Sequence, residues 1–362
     1  VVDAETGEAL HYASVYIAEN RGTITNQDGK FIISAAPDEV LQFKFIGYEN
    51  LSVKASEMGA VIRLNPATQT MKEISVFPVM KLLEGITKKL NAEYRKYKKE
   101  EEAYFFRITT EIGSKKELAE AFMTARSAVN LRSISLLSGR RGLQSGDSLT
   151  SSLLDNVNFH HPLELGAMTP DVSFWNSLST PILKKFDKEY YNQHYNVSVS
   201  QIDSRASDPI LCFNFEKKEN LPPVTLLTGK LYVDAKTLKL LRFEGKIPSL
   251  GMQVTNQRVD GLTIVDLQVI ADYTHEDGYA KVSNISTTVF NEGFNCHALL
   301  YRRDTLSIAT KGKKKVKENL LKTIDKVGDD SPLWVNPNIV LRTGKEEWIA
   351  YKQKKKTKTI QS

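Results

Sequence analysis

Residues 1–35 read VVDAETGEALHYASVYIAENRGTITNQDGKFIISA, and residues 41–55 read LQFKFIGYENLSVKA. Here Val15 and Ile17, Phe31 and Ile33, Leu41, Phe43 and Phe45, and Leu51 and Val53 repeat with period two, as Ile62 and Leu64 do just beyond. Such alternation sends one set of side chains into a core and the other to the opposite side of a strand. The runs are broken by Glu5-Thr6-Gly7, Asn26-Gln27-Asp28-Gly29 and Ile46-Gly47-Tyr48. Asp-Gly supplies the positive φ that a tight hairpin requires, and Asn or Asp side chains bond their own turn. Short strands at this spacing predict a β-sandwich of about seven strands over residues 1–66. So small a core gains from docking on a neighbour.

Three motifs stand in fixed order: D-x-x-T-G-E-A-L-x-Y-A-S-V-x-I from Asp3 to Ile17, G-T-x-T-N-x-D-G-x-F-x-I from Gly22, and L-x-F-x-F-I-G-Y-E from Leu41 to Glu49. Together they resemble the carboxypeptidase-regulatory-like domain. That resemblance implies a transthyretin-like Greek-key sandwich of the kind found at the front of periplasmic and outer-membrane proteins of Bacteroidetes, TonB-dependent receptors among them. It implies an accessory role and an exported, envelope-associated protein, and carries no catalytic residues.

At 362 residues the chain is long enough for two domains, and its 41% apolar and 25% charged content is that of an ordinary globular protein. No apolar run is long enough for a membrane-spanning helix. With no initiating Met and no signal-like segment, the chain is expected to be a mature or trimmed form. The net charge of +6 gathers in Lys311, Lys313, Lys314, Lys315 and Lys317 and in the tail from Lys352 to Lys358. Neither run carries interleaved aromatics, so nucleic acid is not expected as a partner, and peripheral association with an acidic membrane stays open.

Residues 67–100 read as a connector and an amphipathic helix from about Val79 to Lys99, with Leu83, Ile86, Leu90, Tyr94 and Tyr97 on one side. Residues 101–362 read as a β-rich domain. Tyr104 to Ile112 is a strand. Glu117 to Leu131 fits either a helix or a strand returning through Gly113-Ser114-Lys115-Lys116, and the hairpin is the reading taken. From Tyr195 long antiparallel strands follow, with turns at Asp234–Thr237 and Glu276-Asp277-Gly278. The fold class is therefore mainly β with some α (α+β): a seven-stranded Greek-key sandwich, then a curved antiparallel sheet with a covering helix. The L-Y-V-D and R-F-E arms around the Asp234 turn resemble periplasmic lipoprotein-carrier folds, half-barrels that hold acyl chains against a helix. The Lys-rich tail argues against a membrane-embedded role.

Catalytic signals are sparse. His161-Pro-Leu-Glu164 has the H-x-x-E spacing of zinc carboxypeptidases, with His275 or His297 as a distant third ligand, but it falls in a loop between antiparallel elements, and no segment supplies a general base. No G-x-S-x-G elbow is present. His11 reads as a surface strand residue. His194 lies among Tyr190, Tyr191 and Tyr195, a stretch that packs at a strand start or stacks on a sugar, and Trp175 is a further exposed aromatic for carbohydrate. Asp329 with Asp330, and Glu346 with Glu347, read as ordinary solvated acids. Cys212 and Cys296 make no disulfide framework, although they could pair across neighbouring strands in an oxidising compartment.

The sequence thus points to a non-enzymatic binding or adaptor protein of the periplasm or outer membrane, without metal or cofactor. Its second domain is expected to take an envelope protein partner or a lipid-like apolar ligand. The alternatives are a zinc-dependent peptidase-like hydrolase using His161 and Glu164, and a carbohydrate-binding module.

Overall fold

The structure, a computed structural model, describes residues 1–18, 21–70, 79–96, 101–127, 131–144, 186–203, 208–219, 221, 226–256, 259–276, 278–303, 313–316, 323–324, 326–327, 332–335, 340–344 and 346. Described residues are mainly β, with two α-helices.

The amino-terminal module carries β1 (Val2–Asp3), β2 (Ser14–Ala18), β3 (Arg21–Ile24), β4 (Val40–Lys44), β5 (Leu51–Lys54) and β6 (Arg63–Leu64). β2 to β5 form an antiparallel sheet in the order β3-β2-β4-β5, and β1 pairs in parallel with β6. Val15, Leu41, Phe43, Ile62 and Leu64, five of the alternating positions, form the module's buried core together with Val1, Leu10 and Ala13, while Ile17, Phe45, Leu51 and Val53 are partly buried against it. One alternating run behaves differently. Phe31 and Ile33 pack against this core but lie outside any strand, so alternation there records burial without a ladder. The turn before them forms as its residues require. Asn26 Oδ1 accepts from the backbone N–H of Asp28 and Lys30, both at 2.9 Å. Gly29 has φ +71, and a Cβ there would meet the Val1 carbonyl oxygen at 2.5 Å, which no other residue tolerates.

After the module, β7 (Thr68–Thr70) begins the second sheet, followed by α1 (Val79–Lys96), β8 (Glu101–Ile112), β9 (Lys115–Ser127), β10 (Leu131–Gln144), α2 (Lys188–His194), β11 (Tyr195–Asp203), β12 (Ile210–Lys217), β13 (Thr228–Asp234), β14 (Leu240–Asn256), β15 (Val259–Glu276), β16 (Tyr279–Asn291), β17 (Phe294–Arg303) and β18 (Lys314–Lys315). These strands make one twelve-stranded antiparallel sheet, β18-β10-β9-β8-β17-β16-β15-β14-β13-β12-β11-β7. β11 to β17 follow as a meander, and the β8–β9–β10 hairpins extend it beyond β17. Glu117–Ser127 is therefore strand, turning through Gly113 at φ +58, and the helical alternative is excluded. Among the described residues no helix is long and apolar enough to cross a membrane.

One side of this sheet is apolar. Tyr104, Phe106 and Ile108 of β8, Phe213 and Phe215 of β12, Phe243 of β14 and Val269 and Ala271 of β15 all enter a single core. Leu83, Ile86 and Leu90 of α1 close over it, at the helical spacing read from the sequence. Glu93 of the same helix accepts from the Ala280 backbone N–H at 3.1 Å, fixing α1 on β16. Gly229, at φ +145, lets β13 approach β14 so closely that a Cβ would lie 1.9 Å from the Glu244 carbonyl oxygen.

The alternate residues face the other way and are buried as well. Phe105, Phe122, Leu299 and Tyr301 pack there with Tyr12 and Ile24 of the amino-terminal module and with Val340. The module, residues 332–335 and residues 340–344 cover the sheet face that α1 does not.

Candidate functional site

The seam between the module and the sheet gathers most of the functional chemistry described. Tyr12 sits just before β2 with φ 63, a left-handed conformation that a bulky residue holds only when its surroundings impose it. Thr25 braces the turn: its hydroxyl donates to the Leu10 carbonyl at 2.6 Å and accepts from the Ala13 N–H at 2.9 Å. The Tyr12 ring thereby projects across the seam, where its hydroxyl lies 2.8 Å from His297 Nε2. Ser286 Oγ donates to the Tyr12 oxygen at 2.9 Å and stands 3.1 Å from the same imidazole nitrogen. The arrangement that satisfies these contacts has Tyr12 donating to Nε2 and Ser286 donating to Tyr12.

A Ser, a His and a Tyr in mutual contact could be an acyl-transfer set, but here the electron pair that would act as base is spent on Tyr12. All three groups are buried. Burial pushes His297 down to about 4, outweighing the nearby Glu346 carboxylate, so the imidazole stays neutral. The trio is a clamp between domains.

A second cluster pins residues 340–344 and 346 to the same face. Glu120, fully buried, accepts from Arg107 Nε at 2.7 Å and from Arg140 Nη2 at 2.7 Å, and Arg342 Nη2 lies 3.2 Å away. Burial raises the Glu120 carboxyl, and the guanidinium groups of Arg107, Arg342 and Arg140 outweigh it, leaving it below the ordinary range. Arg107 also donates to the Val340 and Leu341 carbonyls. Glu346 accepts from Thr109 and from the Thr343 N–H, both at 2.8 Å, so it is a buried anchor and not the solvated acid expected from sequence. Asn26 of the module donates to the Arg342 carbonyl at 3.2 Å, joining both covers.

Beside the clamp a cleft of about 290 Å³ opens between Phe45, Ile46 and Tyr48 of the module and Ile202, Leu241 and Arg242 of the sheet. Arg242 donates through Nε to Glu244 at 2.6 Å and through Nη1 to Asp272 at 2.9 and 3.0 Å, and its guanidinium lies 4.9 Å from the Phe45 ring centroid. Asp272 also accepts from Asn284 at 2.9 Å.

The residues singled out from sequence fare unevenly. His161, Glu164, Trp175, Asp329, Asp330, Glu347, Lys311, Lys317 and the tail from Lys352 to Lys358 lie outside the described residues. His275 bonds the Leu240 carbonyl and interacts with Glu93 of α1, whereas His297 faces the module, so the two alternative third ligands lie on opposite sides of the sheet. Cys212 and Cys296 are both free and buried. They cannot form the disulfide left open above: Cys212 packs with Ala67 and Ile202 on the module side, Cys296 enters the core under α1, and four strands separate theirs. Burial pushes the Cys296 thiol up to about 12, which makes it inert. Tyr190, Tyr191 and Tyr195 are buried in the core with His194 against the Tyr190 ring, so they offer no face to a sugar. His11 is exposed, as expected, but lies in a turn and not in a strand. Lys313 pairs with Glu101 at 2.8 Å and Lys314 donates to the Lys326 carbonyl, so part of the basic run is structural.

Sequence reading missed the clamp, the Glu120 cluster and the cleft. Tyr12 belongs to the recognised motif, but nothing in its pattern says that its partner lies 285 residues away.

Residues 1–76 match the family described as CarboxypepD_reg-like domain. The amino-terminal module is a CarboxypepD_reg-like domain. No curated protein matches the chain. Among solved structures, a LolA superfamily protein from Nitrosomonas europaea is 9% identical, with 62% of this chain and 94% of that chain covered. Its TM-score of 0.23 is too low for the likeness to bear on fold or function.

Proposed function

We propose that the protein is a non-enzymatic adaptor of the cell envelope, exported to the periplasm or held at the outer membrane. In this reading the CarboxypepD_reg-like domain, a Greek-key sandwich, is braced on a half-barrel-like second domain, and the pair binds a protein partner or an apolar ligand. The observation that carries the reading is the use made of Tyr12, Ser286 and His297: the side chains best suited to acid, base or nucleophile chemistry at the seam are spent holding two domains together. The buried thiols support it too.

The test is isolation of the chain from fractionated envelopes, followed by native mass spectrometry, zinc analysis and peptidase assay. A bound protein or apolar molecule is expected, with no peptide hydrolysis. Stoichiometric zinc together with hydrolysis that His161→Ala abolishes would establish a metallopeptidase and end the adaptor reading.

A further inference from the structure

Two strands of the large sheet run on past their neighbours, and with the adaptor reading, on which this step rests, they mark where a partner attaches. We propose that Leu250–Asn256 of β14 is an open edge on which a partner protein adds one extended, alternately apolar strand.

The first observation is the pairing. β14 pairs with β13 only from Leu240 to Lys246, and β15 with β16 only from Asp266 to Glu276. β14 and β15 stay paired through seven further rungs, from Leu250 opposite Val265 to Asn256 opposite Val259. At the rise of a strand, those rungs carry a two-stranded ribbon about 20 Å beyond its neighbours. Among the described residues neither edge of this ribbon has a partner strand. Two strands alone are marginal in water, and a third is what such a ribbon lacks. Every second residue along a free edge turns its N–H and C=O outward. Another extended backbone matches that row group for group, whereas an acyl chain has no donors or acceptors to offer it.

The second observation is a contrast with the other edges. The sheet ends on one side at β18, two residues long and both Lys, and on the other at β7, three residues long. Short strands and edge lysines keep sheets from pairing with one another. Leu250–Asn256 reads LGMQVTN, with no charge and no Pro, and its Leu250, Met252 and Val254 alternate. The other strand of the ribbon carries Asp260, so the β14 edge is the unguarded one. The third observation is continuity. Ile247 and Leu267 pair in the core under α1, and Val265, opposite Leu250, shares its side of β15 with Leu267. A strand with apolar residues at alternate positions would therefore prolong the apolar side of the sheet. Pairing between copies through so long an edge is the hazard that β18 and β7 are shaped to avoid, so the occupant is a dedicated partner.

The experiment follows amide hydrogen exchange in the full chain by NMR, alone and with acetyl-Lys-Thr-Val-Thr-Val-Thr-Val-Lys-amide. Separate arms use octanoate and the same peptide N-methylated at two adjacent central residues, which blocks both of its edges. Outward amides of residues 250–256 should exchange quickly in the free chain and slow by about tenfold or more with the unmodified peptide alone. Met252→Lys, a guard of the kind found at β18, should weaken that protection. Because this variant could disturb the ribbon itself, the N-methylated peptide tests the same bonds on the unaltered protein. Protection already present in the monomeric free chain overturns the proposal, as does protection that rises with protein concentration, which would mean a second copy. Failure of the unmodified peptide, or equal protection by the N-methylated peptide or octanoate, overturns it too. If any of these is seen while the envelope-isolated chain still carries a bound partner, the ribbon edge is refuted and the adaptor reading stands.

Discussion

The two sides of the twelve-stranded sheet are buried by different means. Under α1, residues such as Phe106, Phe213 and Phe243 form a continuous apolar core whose partners are mostly other strands and two helices of the same domain. On the other side, the alternate positions carry Arg107, Glu120, Arg242, Asp272, Ser286 and His297, and their cover is the CarboxypepD_reg-like domain with residues 332–335, 340–344 and 346. The first side is sealed by water exclusion, which any apolar shape of the right volume supplies. The second is sealed by hydrogen bonds and ion pairs that exist only when the cover sits in one register. A polar interface of this kind contributes little net stability but tolerates no missing partner. The domain under α1 should therefore yield gradually to substitution, and the seam abruptly.

The largest effect is expected on the apolar side. Phe213→Ala should cost about 3–5 kcal/mol, read as a lower midpoint in a single urea transition covering the whole second domain. Glu120→Ala should rival it at about 3–5 kcal/mol, because it leaves three guanidinium groups facing one another without their carboxylate. Its signature should differ: hydrogen exchange should rise first in residues 340–346 and the module, and uniform exchange across the sheet would contradict the two-sided picture.

The seam should also be acid-sensitive. An unfolded chain protonates His297 near its ordinary 6.5, whereas the folded one keeps it neutral down to about 4. Stability from this residue is thus full above pH 6.5 and falls as pH drops from there towards 4. Glu120, held below its ordinary value, adds a second loss as pH falls below about 4.5. Urea midpoints for wild type and His297→Gln measured between pH 7.5 and 4.5 should converge as pH falls. Parallel curves would mean that the histidine does not titrate on unfolding. Tyr12→Phe, which removes the hydroxyl linking Ser286 to His297, should cost about 1–3 kcal/mol by the same melts. At the bottom of the range, Lys236→Ala breaks an exposed pair with Asp208 and should leave the midpoint unchanged within error.

How much of this was legible depended on the range of the interaction. α1 was readable because Leu83, Ile86 and Leu90 repeat at helical spacing, and the Asp234 turn because Asp234 bonds its own loop through the N–H groups of Lys236 and Thr237. Residues 117–127 were ambiguous because their apolar positions fit both periods, and only pairing with β8 and β10 decides between them. Phe31 and Ile33 alternate like a strand yet form none, since alternation reports which side is buried and not whether a neighbour supplies a ladder. The seam was invisible for the same reason. Alternate residues of β8 and β17 face away from the core under α1, but a polar residue facing away reads as solvated until its cover is known. Tyr12 and His297, or Arg107 and Glu346, become partners only through the packing of distant segments.

The passage between domains has a mechanical meaning. Pro66 still bridges to Tyr48 in the module, and two residues later Thr68–Thr70 is already paired with Gln201–Asp203 as the edge strand of the large sheet. The chain leaves no slack there for a swivel. A tug on the module is delivered to the second domain as shear along a strand, shared by several backbone bonds at once. The joint transmits tension in the way a weld does, so a partner gripping either domain is gripping both.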